Sequence, residues 1–542
     1  MEAFCTIFDI VRKLSYLHII TGDRRIEFFM ATKEQFIEKI TASYQPKGAF
    51  IFLGAGIFNG EIVAEAKVNL ALKMMNRHGL IAGATGTGKT RTLQLIAEQL
   101  SNEQVPVFML DVKGDLSGFA QEGKSNPALE ERGQAIAYPF QPQNFPVELY
   151  SLSGNKGIPM RITIEDFGPV LLSRILDLNE TQSGVLAAIF KYAGDKQMPL
   201  IDLVDLKKLL SYLSDGPGAE EISNDYGRIS SATSGTILRK IVAIEQQGLA
   251  HIFGEKEFEI QDLFEKIDGK GVISLLNISD VQDQPLLFST FLLSLLAQLF
   301  KNLPEVGDLD RPKLVFFFDE AHLLFNGASK AFLSQVEQII RLIRSKGVGV
   351  FFCTQAATDV PETVLGQLGN RVQHALRAFT PNDAEALRKT VKTYPHSEFY
   401  EIDKILTSLG TGQAMITVLN DKGIPTEVVA THMIGPRSVM GPVDPQTYTD
   451  IINNSPLLQK YKESVNNRSA EEIIEEKMEE AQRAKVQQEA AKAQSAPGRP
   501  ASRRQTPLEA AQKTATTTLA REGVKLLSKL ANGLLTAFLK KK

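Results

Sequence analysis

At 542 residues the chain is long enough for roughly two to four domains and for a core that needs no cross-links. Hydrophobic residues at 43% and charged residues at 23% fit a soluble globular protein and exclude a disordered or fibrous one. A net charge of −3 excludes a uniformly basic nucleic-acid-binding chain, and two cysteines, Cys5 and Cys353, exclude a disulfide scaffold and point to a reducing, cytoplasmic setting.

Residues 1–29 mix apolar and basic side chains, with Arg12, Lys13, Arg24 and Arg25 following the apolar ones, the reverse of a signal peptide. Met30 reads as a second candidate start, which would make 1–29 an upstream extension; an added N-terminal helix is the other reading. Residues 30–70 hold a short helix (31–43) and two strands (48–54 and 61–64) joined by a Gly-rich turn. No apolar run reaches about 18 residues, so no membrane-spanning helix is expected.

The first decisive motif follows. Gly83, Ala84, Thr85, Gly86, Thr87, Gly88, Lys89 and Thr90 fit the phosphate-binding pattern G-x-x-x-x-G-K-[ST]. An apolar strand (78–82) precedes it, and a helix opens at Arg91 with Leu93, Ile96, Ala97 and Leu100 on one face. Glycines let backbone N–H groups approach phosphate oxygens, and the helix N-terminus adds its dipole. Lys89 can then reach the β- and γ-phosphates of ATP, Thr90 can ligate Mg²⁺, and Arg91 is expected to complete the nucleotide-binding set.

Residues 105–111 form a second buried strand, with Asp111 and Asp115 at its C-terminal end. They either stand behind the Mg²⁺ shell or cap a turn. Residues 160–265 break the strand–helix rhythm and read as a helical insertion within an ATPase domain spanning 71–440. A strand at 271–277 and an apolar helix at 285–300 resume it.

The second motif is the run Lys313 to Phe318 ending in Asp319 and Glu320. It resembles a Walker B strand, in which Asp319 would hold the metal shell and Glu320 would polarise the attacking water. His322 has no His/Cys cluster around it and reads as a structural neighbour. The strand 347–355 ends in Thr354 and Gln355, where a polar group can sense the γ-phosphate or close a strand-end hydrogen bond. Arg341, Arg344, Arg371 and Arg377 are expected around the last strands; one could serve as an arginine finger, with Arg371 and Arg377 the leading candidates, and each could equally be a surface ion pair.

Strands at 413–419 and 426–430 close the core. A helical segment (441–494), a flexible basic linker (495–506) and a basic amphipathic helix (507–542) follow. That last helix could pack on a partner protein or lie on an anionic membrane surface.

The runs 76–90, 111–118 and 351–355 resemble the HerA-like branch of the FtsK–HerA ATPases, most closely the YjgR-type bacterial family, over about residues 54–442. The resemblance implies a RecA-like α/β core with a mainly parallel sheet, a homo-hexameric ring and ATP-driven movement of DNA through its pore. By the same resemblance Lys89 and Thr90 bind phosphate and Mg²⁺, Asp319 and Glu320 form the Walker B pair, and Gln355 is the sensor. Well-characterised HerA helicases also carry an N-terminal β-barrel, for which the residues ahead of the P-loop leave no room. Three functions are compatible with these features: a DNA translocase or helicase, a motor acting on protein or docked at a membrane, and a nucleotide-switched assembly protein.

Overall fold

The computed structural model describes residues 31–494, apart from 249, 282, 326, 327, 329, 378, 379 and 466. The N-terminal stretch 1–29, the linker 495–506 and the helix expected at 507–542 lie outside the described residues.

The strands run in chain order β1 (Phe50–Phe58), β2 (Glu61–Ala71), β3 (Gly79–Ala82), β4 (Val107–Asp111), β5 (Val147–Ser151), β6 (Ile158–Pro159), β7 (Lys266–Ile267), β8 (Lys270–Gly271), β9 (Ile273–Asn277), β10 (Leu314–Phe318), β11 (Val348–Thr354), β12 (Asn370–His374), β13 (Gln413–Thr417) and β14 (Val429–Met433). Twelve of them form one sheet in the order β2-β1-β14-β13-β12-β3-β11-β10-β4-β9-β5-β6. From β12 to β6 every neighbouring pair is parallel. The last four strands at the other edge, β13, β14, β1 and β2, pair antiparallel. The α/β reading with a mainly parallel sheet therefore holds.

The central strands read as unbroken apolar runs because both sheet faces are covered. In β10, Phe316 and Phe318 enter one core and Val315 and Phe317 the other. The helix Lys89–Asn102 covers the second face through Leu93, Ile96 and Leu100. The first face is covered by the helices of the insertion, Ile164–Ile175, Glu180–Asp195, Leu203–Ser214, Ala219–Asp225 and Ser231–Gln246, together with Pro285–Asn302. Residues 50–71 are not set apart from this sheet. β1 and β2 join it through β14, and their connection is a two-residue turn at Asn59 and Gly60, both with positive φ (49° and 83°), the left-handed pair that a tight hairpin requires. The helix Ala470–Gln494 buries Ala470 and Ile474 in the main unit; from Lys477 onward it belongs to a second unit, which carries the ion pair Arg483–Glu479.

Candidate nucleotide site

The loop of residues 83–88 leaves the C-terminal end of β3 and runs into the helix Lys89–Asn102. Its start is tied to both neighbouring strands. The Gly83 N–H donates to Thr354 at the end of β11 (3.2 Å), and the Ala84 N–H donates to Ala375 just past β12 (2.9 Å). Glycine is required at Gly83, where a Cβ would lie 2.5 Å from that of His374, and at Gly88, whose φ of 116° opens the helix. The Lys89 ammonium donates to the carbonyls of Gly83 and Ala84 (2.6 and 3.2 Å), so it sits over the loop. Thr85 and Gly86 at the tip are exposed, Thr87 is buried, and Thr90 is half-buried at the helix start. Arg91 turns away and donates to Gln94 and to Met440 O.

The Walker B strand is two places from β3, and β11 lies between them. Asp319 is half-buried at its end. Burial, then the neighbouring Glu320 charge, pushes its carboxyl above the usual range, while the Cys353 thiol, the Glu320 N–H and the Lys89 charge hold it down. Glu320 is a non-glycine residue at φ 51°, and its N–H donates to Asp319 Oδ1 (2.9 Å). Such a conformation costs roughly 1–3 kcal/mol and is met at functional sites. Glu320 Oε2 is shielded without a hydrogen-bond partner, and the His322 Nδ1 stands 3.4 Å from it. His322, Gln355, Arg377 and Ala84 line one cavity of about 510 Å³ beside the loop. The two polar residues ending β11 differ in use. The Thr354 hydroxyl closes the strand end by donating to Asp359 (2.5 Å), while Gln355 is exposed in the cavity.

Asp111 caps a turn: its carboxylate accepts from the N–H groups of Gly114, Asp115 and Leu116, and burial raises it to about 6. The four arginines expected together divide between the two ends of the sheet. Arg377 follows β12 and lies on the P-loop side. Arg341 and Arg344 precede β11 and Arg371 opens β12, so they lie at the strand starts, in a cavity of about 380 Å³ that also takes in Arg77. Parallel strands separate their starts from their ends by the strand length, which no reading of local sequence conveyed. Arg371 donates to the carbonyls of Leu365, Leu368 and Thr393.

Three supports of the loop carry no sequence signal. His374 Nε2 meets the Thr92 hydroxyl (2.9 Å) and its Nδ1 faces Gln413 O (2.9 Å). The carbonyl can only accept, so Nδ1 carries the proton and Nε2 accepts from Thr92. Gly412 donates to Thr87 O (3.0 Å), and Arg132 holds residues 411–412 by donating to the carbonyls of Thr411, Gly412 and Met433. Buried Glu98 accepts from the N–H groups of Arg437 and Ser438 and from the Ser438 hydroxyl, fastening residues 437–438 along the P-loop helix.

A phosphate-binding loop, a strand ending in paired carboxylates and a polar residue on the strand between them define a P-loop ATPase, an ATP hydrolase. The chain belongs to the helicase HerA-like C-terminal family, whose model matches residues 59–536. It is similar to the DNA double-strand break repair helicase HerA of Sulfurisphaera tokodaii, with 24% identity over 371 residues, 68% of this chain and 67% of that protein. It is also similar to the DNA import protein CedB of Sulfolobus acidocaldarius, with 23% identity over 391 residues, 70% of this chain but 57% of that protein. Among solved structures, the bacterial conjugative coupling protein TrwB matches at 13% identity and a TM-score of 0.47, covering 78% of this chain and 97% of that one. VirB4 of Thermoanaerobacter pseudethanolicus matches at 15% identity and a TM-score of 0.45, covering 72% and 98%.

Proposed function

We propose that the chain is a ring-forming, ATP-driven motor that moves DNA in the cytoplasm, with Mg²⁺ as the metal of its nucleotide site. The observation that carries this reading is the placement of Lys89, Asp319, Glu320 and Gln355 just past the C-terminal ends of three central strands, β3, β10 and β11, on adjacent or next-adjacent strands. Thr90 and Asp319 supply the hard oxygen donors that suit Mg²⁺. The ion, when bound, would neutralise phosphate charge. Glu320, with one shielded oxygen and no hydrogen bond to spend it on, is the group suited to orient and polarise water.

The arginines support the ring. Arg77, Arg341, Arg344 and Arg371 share a cavity with no Asp or Glu among its described lining residues, at the end of the sheet opposite the P-loop, and Arg77 is paired outside it with Asp308 (3.8 Å). A cationic face on one side of the subunit and a nucleotide on the other suit head-to-tail closure, the arginines of one copy facing the phosphates of the next. Arg371, held by three carbonyls, shapes the cavity, and Arg341 and Arg344 form no side-chain hydrogen bond or ion pair among the described residues. Arg377 suits a role toward its own subunit's nucleotide. DNA as the moved polymer is supported by the two similar proteins, one a DNA double-strand break repair helicase and the other a DNA import protein.

The test is the steady-state ATPase rate of the full chain with and without double-stranded DNA, on material whose mass is measured under assay conditions. A several-fold rise with DNA is expected. An unchanged rate in a confirmed ring would remove DNA as the substrate and leave the ATPase intact.

A further inference from the structure

We propose that Arg174 is a positioning residue for hydrolysis, holding from the helical insertion the turn that carries Glu320. The inference rests on Glu320 as the water-polarising group.

Arg174 lies in the last turn of the helix Ile164–Ile175, far from the nucleotide motifs in sequence. Its guanidinium lies 3.7 Å from the centroid of the Phe332 ring, and its Nη2 donates to Leu324 O (2.9 Å). Leu324 belongs to the turn directly after the Walker B pair. The Leu323 N–H donates to Glu320 O (2.9 Å), and the Leu324 N–H donates to Ala321 O (3.0 Å). One peptide segment is thus fixed at one end to the residues of the site and at the other to Arg174.

The guanidinium is held at some expense. Its Nε and Nη1 are shielded with no hydrogen-bond partner, and burial lowers its pKa to about 10, which leaves it a cation at neutral pH. A surface ion pair would not impose this; a cation stacked on a ring and aimed at one carbonyl does. Lysine cannot reproduce the planar stack and the directed N–H together. The strain at Glu320, φ 51°, explains what the contact is for: a backbone in the left-handed region persists only where its surroundings hold it. Beside Arg174 a cavity of about 580 Å³ opens between Pro169, Leu178 and Leu286, large enough to admit a small cation.

The experiment compares full-length Arg174→Ala, Arg174→Lys and Phe332→Leu. In Arg174→Ala the kcat for ATP should fall roughly tenfold or more while KM stays within about twofold, the pattern of a misplaced catalytic group with substrate binding kept. Guanidinium at tens of millimolar should restore part of that kcat and leave the wild type unaffected. Arg174→Lys should remain impaired. Phe332→Leu, which keeps the bond to Leu324, should lose less kcat at unchanged KM, and it serves where Arg174→Ala folds poorly. In a Glu320→Gln background Arg174→Ala should cost nothing further. Unchanged kcat in Arg174→Ala, full activity in Arg174→Lys, or a loss that appears in KM and melting temperature with no guanidinium rescue would each overturn the proposal. Wild-type turnover by Glu320→Gln alone would instead bring down the assignment of Glu320.

Discussion

The imidazole of His374 accepts a hydrogen bond from the Thr92 hydroxyl at 2.9 Å, joining the strand next to the P-loop strand to the first turn of the P-loop helix. Both groups are buried, and burial lowers the histidine to about 4. The neutral ring is what the fold requires, since one nitrogen must accept while the other donates to Gln413 O.

That relationship predicts a pH dependence. The folded pKa lies below the ordinary value near 6.5, so the stability His374 contributes is complete above about pH 6.5 and is lost as pH falls toward about 4. His374→Gln should be destabilised at pH 7.5, and the gap to the wild type should narrow on acidification. Urea unfolding of both proteins at pH 7.5, 6 and 5 measures it. A gap that stays constant would show that the ring acts through packing alone.

Lys89 is expected to be indispensable for hydrolysis and dispensable for folding. Among the described residues its ammonium hydrogen-bonds two loop carbonyls and nothing else. Lys89→Ala should lower turnover about a hundredfold or more with the melting temperature little changed. Wild-type ATPase activity in this variant would refute the phosphate-loop assignment.

Glu320→Gln should keep ATP binding and lose single-turnover hydrolysis by about two orders of magnitude or more. Removing its charge also relieves Asp319, whose carboxyl it pushes upward, so the variant should be no less stable than the wild type. Nucleotide binding by fluorescence, run beside a single-turnover assay, separates the two effects. Lost binding with normal single-turnover rates would indicate a structural role.

Ring assembly predicts that specific activity rises with protein concentration as subunits associate. Arg344→Ala, at the rim of the arginine cavity, should bind ATP normally and lose turnover by about 10³-fold, the scale of a finger supplied by a neighbour. Mixing it with Lys89→Ala subunits should restore part of the activity, because each then supplies what the other lacks. Full activity in a proven monomer would remove the ring and the finger together.

Glu98→Ala should be strongly destabilising, by about 3 kcal/mol or more. It leaves two backbone N–H groups and a hydroxyl without their acceptor inside the protein. Thermal unfolding measures the loss, and Glu98→Gln, which keeps one acceptor oxygen, should recover part of it.

Much of this site was legible in the chain itself. A phosphate loop needs glycines and a lysine at fixed spacing, and the strand that bears catalytic carboxylates must be apolar up to its last residue. Residues 83–90 and 313–320 therefore announce themselves locally, as do the buried parallel strands, whose two covered faces leave no room for polar alternation. The sequence by itself thus determined the class of protein, the loop, the Asp319–Glu320 pair and the helical character of 160–265. What tertiary structure alone decided are the relations that pair residues remote in the chain. Strand order placed β11 between the P-loop and the Walker B strand and gave Gln355, not Thr354, to the cavity. The direction of parallel strands sent Arg371 and Arg377 to opposite ends of the sheet. Hydrogen bonds across 282 residues joined His374 to Thr92, and across 150 residues joined Arg174 to Leu324. A single histidine or arginine carries no periodicity, and its role is set by the carbonyl or ring that folding brings against it.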